Sequence, residues 1–191
     1  MFNMELRTRG GKSAGFGFRA VAVAALFLAA GLASSCYAQS SGNEISLSGG
    51  RADDSIGVIG LRVGKPIGYW DFASCLGFEE ADLEYWNAPH QYHASGDLTT
   101  IGALAGCRFI ATSRISPEIG IGVRLLSHVQ IVDDKYYSTA FQFQEMLGAR
   151  VRLDDDGKYF AGIRARHISN GSIKRPNAGI NTLLLSVGML F

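Results

Sequence analysis

The closing strand-like segment constrains the chain most. Leu183, Leu185, Val187, Met189 and Phe191 form a wholly apolar odd series, and Thr182, Leu184, Ser186, Gly188 and Leu190 alternate with it. A period of two belongs to a strand whose two faces meet different surroundings. Small and polar residues on one side and an unbroken apolar row on the other fit a narrow membrane barrel, with the odd face toward lipid. The segment 119–126 repeats the pattern, with Ile119, Ile121, Val123 and Leu125 outward and Gly120, Gly122, Arg124 and Leu126 inward. An arginine facing lipid at mid-depth costs roughly 2–4 kcal/mol, so Arg124 is expected inside. The same logic turns Arg150, Arg152, Arg164 and Arg166 inward, with Asp71, Glu79 and Asp97 as available acidic partners.

Alternating segments fall at 43–51, 55–64, 67–80, 98–110, 114–128, 140–153, 158–169 and 181–191. The expected fold is therefore all-β, an eight-stranded antiparallel transmembrane β-barrel, closed because open edges in hydrocarbon would leave amides unpaired. Lys65-Pro66, Ser113 to Ser116 and Asp154 to Gly157 read as short turns, whereas 81–97, 129–139 and 170–180 are longer and polar. Short periplasmic turns and longer external loops are the habit of bacterial barrels, with both termini on the periplasmic side. Ending on Phe191 resembles the terminal aromatic residue by which outer-membrane proteins are recognised for assembly. A soluble lipid-carrying barrel is the alternative, and it would turn Leu183, Leu185 and Val187 inward.

Residues 1–38 read as a cleaved signal peptide and 39–191 as the barrel domain. Arg7, Arg9, Lys12 and Arg19 precede an apolar run from Ala20 to Leu32, and small residues lead to Ala38. That run is short for a membrane span, and a retained anchor or a lipid-modified Cys36 are the lesser readings. Cleavage after Ala38 leaves 14 Lys and Arg against 16 Asp and Glu, a formal charge of −2, with no basic surplus for nucleic acid. Cys75 and Cys107 remain in a compartment that permits disulfides. Parity places Cys75 inward, beside the outward series Trp70, Phe72, Leu76 and Phe78, and Cys107 outward with Ile101, Ala103, Ala105 and Phe109. Opposite faces of one wall cannot be bridged, so no disulfide is expected.

The chemistry concentrates at the end of the seventh segment. With Arg164 and Arg166 inward, His167 and Ser169 share the lipid face, about 7 Å apart at the backbone. Histidine supplies a base that titrates near neutrality, and serine a nucleophile that needs its proton removed. A His-x-Ser pair alone is a weak signal. His90, His93, His128 and His167 do not fall at metal-ligand spacing, and His90 and His93 read as decoration of an external loop, so neither metal nor cofactor is expected.

The run His167-Ile168-Ser169-Asn170-Gly171-Ser172-Ile173-Lys174-Arg175-Pro176-Asn177-Ala178-Gly179-Ile180-Asn181 closely resembles the motif of the lipid A 3-O-deacylases, small outer-membrane barrels. Gly68-Tyr69-Trp70, Leu98-Thr99-Thr100 and Gly120-Ile121-Gly122-Val123 support the resemblance. It implies a carboxylic ester hydrolase that removes the 3-hydroxyacyl chain at the 3-position of lipid A in the outer leaflet. His167 would be the general base and Ser169 the nucleophile. Asn177 and Asn170 would help hold the oxyanion, with Gly171 letting the backbone approach. Lys174 and Arg175 would engage the phosphates of lipid A. Lipopolysaccharide is then the substrate and outer-membrane lipid the surroundings, while a homodimer is left open.

In one respect the chain departs from the family. Where the best-known member has a glutamate orienting the histidine, this chain has Asn181. An amide can fix the ring but does not stabilise imidazolium as a carboxylate does. A hairpin folded about Asp156 would pair Glu145 with His167, making Glu145 a candidate substitute. The rival functions are a non-catalytic structural or adhesion barrel and an outer-membrane phospholipase, the latter usually on a twelve-stranded barrel too large for this chain.

Overall fold

The computed structural model describes residues 42–88, 96–132 and 135–191. The expected signal segment, His90 and His93 lie outside the described residues. Eight long strands, β1 (Glu44–Ala52), β2 (Gly57–Trp70), β3 (Cys75–Asn87), β4 (Leu98–Phe109), β5 (Ile115–Leu126), β8 (Phe141–Arg152), β9 (Tyr159–Ser169) and β10 (Ile180–Leu190), close into a barrel. Every neighbouring pair is antiparallel, and β1 pairs with β10 to complete the ring. Two short strands, β6 (Gln130–Val132) and β7 (Lys135–Tyr136), make a hairpin inside the β5–β8 connection.

The alternation read from the sequence decides the two sides of the wall. Leu183, Leu185 and Val187 are 55–62% exposed on β10, while Thr182, Leu184 and Ser186 are buried. Leu47, Ile59, Ile101, Ile121 and Phe143 continue the outward apolar belt around the ring. A barrel that is greasy outside and charged inside is built for hydrocarbon, which excludes the soluble alternative.

The lumen is filled rather than open. Arg62, Arg108, Arg124, Arg150, Arg164 and Arg166 are buried there with Glu44, Glu80, Asp82, Glu84 and Glu118. Arg164 donates to Glu80 at 2.6 Å and to Glu118 at 2.8 Å, Arg166 to Glu84 at 2.8 Å, and Arg124 to Asp82 at 2.6 Å. Arg108 and Arg150 both reach Glu44, and the Arg150 guanidinium lies 3.6 Å over the Phe160 ring. Gly102 faces this network: a Cβ there would come within 2.5 Å of both Arg124 and Asp82, so the missing side chain is the space the ion pair occupies. Above the charges, at the long-loop end, Ile56, Trp86, Leu98, Ile131, Tyr137, Ile168 and Ile180 form a buried apolar cap.

Three expectations are corrected. Lys65-Pro66 is not a turn: β2 runs through it to Trp70, and the chain reverses at Asp71–Ala73, with Ser74 at φ 50°. The ladder slips between Pro66 and Gly68, and such a bulge is where a strand tolerates a proline that has no N–H to donate. The following loop therefore spans 88–97, not 81–97. Second, the acidic partners of the inward arginines are the five lumenal carboxylates above. Glu79 pairs with Lys65 on the outside, Asp97 accepts from Tyr85 and Asn87, and Asp71 sits in the turn. Arg152 lies at the rim, where it donates to the Asp155 carbonyl.

Third, Cys75 and Cys107 form a disulfide, with their Cα atoms 5.6 Å apart. The turn at 71–74 breaks the parity carried forward from Trp70, so Phe78 is inside at 1% exposure and Cys75 takes the outward series. Cys75 pairs with Phe109 and Gly77 with Cys107, which sets the two cysteines diagonally on one face of adjacent strands.

Candidate active site

Strand β9 presents its site by the way its inner face is anchored. Arg164 and Arg166 are tied to carboxylates across the lumen, and Ile168, wholly buried, enters the apolar cap. The residues between and after them, His167 and Ser169, are thereby turned onto the outer wall, where both are half-buried. They stand at the long-loop end of the barrel, at the edge of the apolar belt.

Cross-strand register supplies the neighbours. His167 lies opposite Asn181 on β10 and opposite Glu145 on β8, and Ser169 lies opposite Phe143. The hairpin arithmetic thus places Glu145 as expected, exposed on the same face as the imidazole. The ring's Nδ1 is 2.9 Å from Asn181 Oδ1. Because that oxygen only accepts, Nδ1 is the donor, and in the neutral ring Nε2 keeps its lone pair. Asn181 is held in turn: its backbone N–H and its Nδ2 both donate to Asp53 Oδ2, at 2.9 and 3.1 Å. On the other side of the ring stands Gly179 at φ 51°, where a Cβ would lie 3.0 Å from His167 Cε1 and 3.4 Å from Nε2.

The loop after Ser169 is locked by short-range polar contacts. Asn170 is wholly buried; its Nδ2 donates to Ser138 Oγ at 3.2 Å and to the Lys174 carbonyl at 2.8 Å, and its Oδ1 accepts from the Ser172 N–H at 2.9 Å. The Asn170 N–H donates to Asn177 Oδ1 at 3.0 Å. Ser138 Oγ also lies 2.8 Å from the Lys174 carbonyl and 2.7 Å from the Pro176 carbonyl, and Tyr137 bridges Asn177. Gly171 takes φ 63° and packs against Phe143, the residue opposite Ser169, so the loop backbone arrives beside the serine. Lys174 and Arg175 are exposed at the loop's outer edge.

His167, Ser169, Glu145 and Asn181 therefore occupy neighbouring register positions on the outer wall, His167 and Asn181 in side-chain contact, and Asn170, Gly171 and Asn177 lie in the adjoining loop. Sequence reasoning missed Asp53, Ser138 and Gly179. Asp53 had no signal in the sequence: the β1–β10 ladder, which closes the ring and sets Ala52 opposite Thr182, is what brings Asp53 to Asn181.

The sequence profile described as Lipid A 3-O-deacylase (PagL) matches residues 59–190. The chain belongs to the PagL family. Two PagL-family relatives, each called lipid A deacylase PagL, agree with this assignment. The Bordetella bronchiseptica protein is 30% identical over 107 residues, 56% of this chain and 58% of that protein. The Pseudomonas aeruginosa protein is 29% identical over 124 residues, 64% of each. The chain thus matches about three fifths of the length of these curated relatives. Among solved structures, the outer membrane enzyme PagL superimposes with a TM-score of 0.59 at 24% identity, covering 78% of this chain and 99% of that one. Neisserial surface protein A follows at 0.57 and 15%, over 78% of this chain and 96% of that one, and the N-terminal barrel domain of Pseudomonas aeruginosa OprF at 0.53 and 16%, over 79% and 98%. With its lipid-facing belt and closed ring, this PagL-family chain is an outer-membrane protein.

Proposed function

We propose that the protein is a serine-type esterase that removes the ester-linked 3-hydroxyacyl chain at the 3-position of lipid A. The observation that carries the reading is the placement of His167 and Ser169 on the lipid-facing wall at the long-loop end, with the ring's Nδ1 held by Asn181. An ester in the outer leaflet reaches such a site without leaving the membrane. Family membership supports the substrate class.

In this mechanism Ser169 Oγ attacks the ester carbonyl carbon while His167 Nε2 takes the hydroxyl proton. The tetrahedral oxyanion accepts hydrogen bonds from Asn177 Nδ2 and the backbone N–H of Gly171, donors typically worth about 2.7–4 kcal/mol each. Asn170, buried in the loop, holds the Asn177 amide through its own N–H. Collapse of the intermediate breaks the bond to the sugar oxygen, which leaves with the proton from His167. Water then attacks the acyl-serine with His167 again as base, and the 3-hydroxy fatty acid is released. Asn181 orients the ring. Glu145, across the strand, adds negative field on the membrane side, so Glu145→Gln lowers turnover without abolishing it. Lys174 and Arg175 bind the lipid A phosphates by charge-assisted contacts.

The test is mass spectrometry of lipopolysaccharide incubated with the purified protein in detergent. Loss of one 3-hydroxyacyl group by the wild type, and its retention with Ser169→Ala or His167→Ala, is the expected result. Release of fatty acid from glycerophospholipids instead, or full activity of Ser169→Ala, would end the reading.

A further inference from the structure

We infer that Asp53 is a positioning residue of this site, acting through the Asn181 amide to select which nitrogen of His167 carries the proton. The inference rests on the reading of His167 as the base of an ester hydrolase.

An asparagine beside a histidine is ambiguous by itself. Its amide has an accepting end and a donating end of nearly equal size, and turning it over would present NH2 to the ring. The ring would then hold its proton on Nε2 and leave the serine without a base. A carboxylate removes the ambiguity because, when ionised, it only accepts. Asp53 Oδ2 takes the Asn181 Nδ2 at 3.1 Å, so the amide oxygen must face His167 Nδ1, where it lies at 2.9 Å. The same carboxylate oxygen accepts the Asn181 backbone N–H at 2.9 Å, which fixes its position relative to the amide it orients.

Asp53 is itself well placed. It begins the 3-10 turn Asp53–Ser55 between β1 and β2. The Ala52 N–H donates to the Ile56 carbonyl at 2.8 Å across that turn, and Ala52 and Ile56 are both buried in the apolar cap. The ring closure between β1 and β10 then carries the turn to the site. When His167 becomes imidazolium, the hydrogen-bonded chain from Nδ1 ends on an anion one amide away. In this chain the carboxylate stands one amide away from the histidine and comes from the first connection of the barrel.

The experiment uses the full chain in detergent micelles with lipopolysaccharide, and compares Asp53→Ala, Asn181→Asp and the double variant Asp53→Asn/Asn181→Asp. Asp53→Ala is expected to lower kcat about 10–100-fold, the usual scale for a group that orients a site residue, with KM nearly unchanged. Asn181→Asp alone sets two carboxylates against each other and loses activity, and the double variant, which restores a donor facing a carboxylate, regains it. Nitrogen-15 shifts of the imidazoles, assigned with His167→Gln, should show His167 protonated on Nδ1 in the wild type and a mixture of tautomers in Asp53→Ala. Full kcat in Asp53→Ala with an unchanged tautomer, or equal activity of Asn181→Asp with either residue at 53, would overturn the inference. If Asp53→Ala does not fold, the comparison of Asn181→Asp with the double variant decides. Should wild type release no 3-hydroxy acid, or Ser169→Ala still release it, the hydrolase reading falls, and the tautomer measurement still judges the role of Asp53.

Discussion

The two nitrogens of His167 meet different surroundings. Nδ1 faces a carbonyl oxygen fixed from behind by Asp53, whereas Nε2 looks toward a position without a side chain, Gly179. That glycine has two reasons to be there: a left-handed φ of 51°, and an imidazole so near that a Cβ would come within 3.0 Å of the ring. Gly179→Ala should therefore displace the ring and lower turnover about 10–100-fold. Heat-modifiable mobility on gels would remain, showing that the barrel still forms. His167, Ser169, Asn177 and Asn181, the residues of the proposed site, could be singled out in the sequence because they lie within one contiguous run of fifteen residues. Gly179 lies in the same run, but a glycine before a strand reads as a turn, and only the ring beside it reveals the second constraint. Asp53 was hidden by distance, being 128 residues from its partner.

Strand parity is the step at which sequence reading succeeded or failed. On β5, β9 and β10 uninterrupted alternation carried the faces correctly, and with them the outward direction of His167 and Ser169. On β2 and β3 it did not, because a Lys-Pro pair resembles a turn while the true reversal, Asp71–Ala73, has no glycine or proline to mark it. That single displacement turned Phe78 and Cys75 to the wrong faces and kept Glu80, Asp82 and Glu84 out of the expected lumen. Glu118 shows what those carboxylates do: it is 1% exposed and accepts from Arg108 at 2.6 Å and Arg164 at 2.8 Å. Glu118→Ala would leave these guanidinium groups without a shared anion, and destabilise the barrel by about 3–5 kcal/mol, measured by urea unfolding in detergent. The loop that carries Asn177 depends on a smaller contact. Ser138→Ala removes the hydroxyl that joins Asn170, Lys174 and Pro176, and amide exchange across 170–177 should quicken about fivefold or more, a loss of about 1–3 kcal/mol locally.

At the scale of the barrel, the described residues fill the lumen with a charged network, interleaved with Phe78, Leu104 and Met146, and with an apolar cap. In a planar bilayer the protein should insert without producing steps of ionic current, and channel-like conductance would contradict the filled interior. The proposed reaction runs on the outer wall, where His167 and Ser169 stand. A catalyst that meets its reactant only by sideways diffusion works in two dimensions, so its velocity should follow the mole fraction of lipopolysaccharide in the micelle or vesicle. Adding inert detergent at constant total substrate should slow the reaction by surface dilution, even though the bulk concentration has not changed.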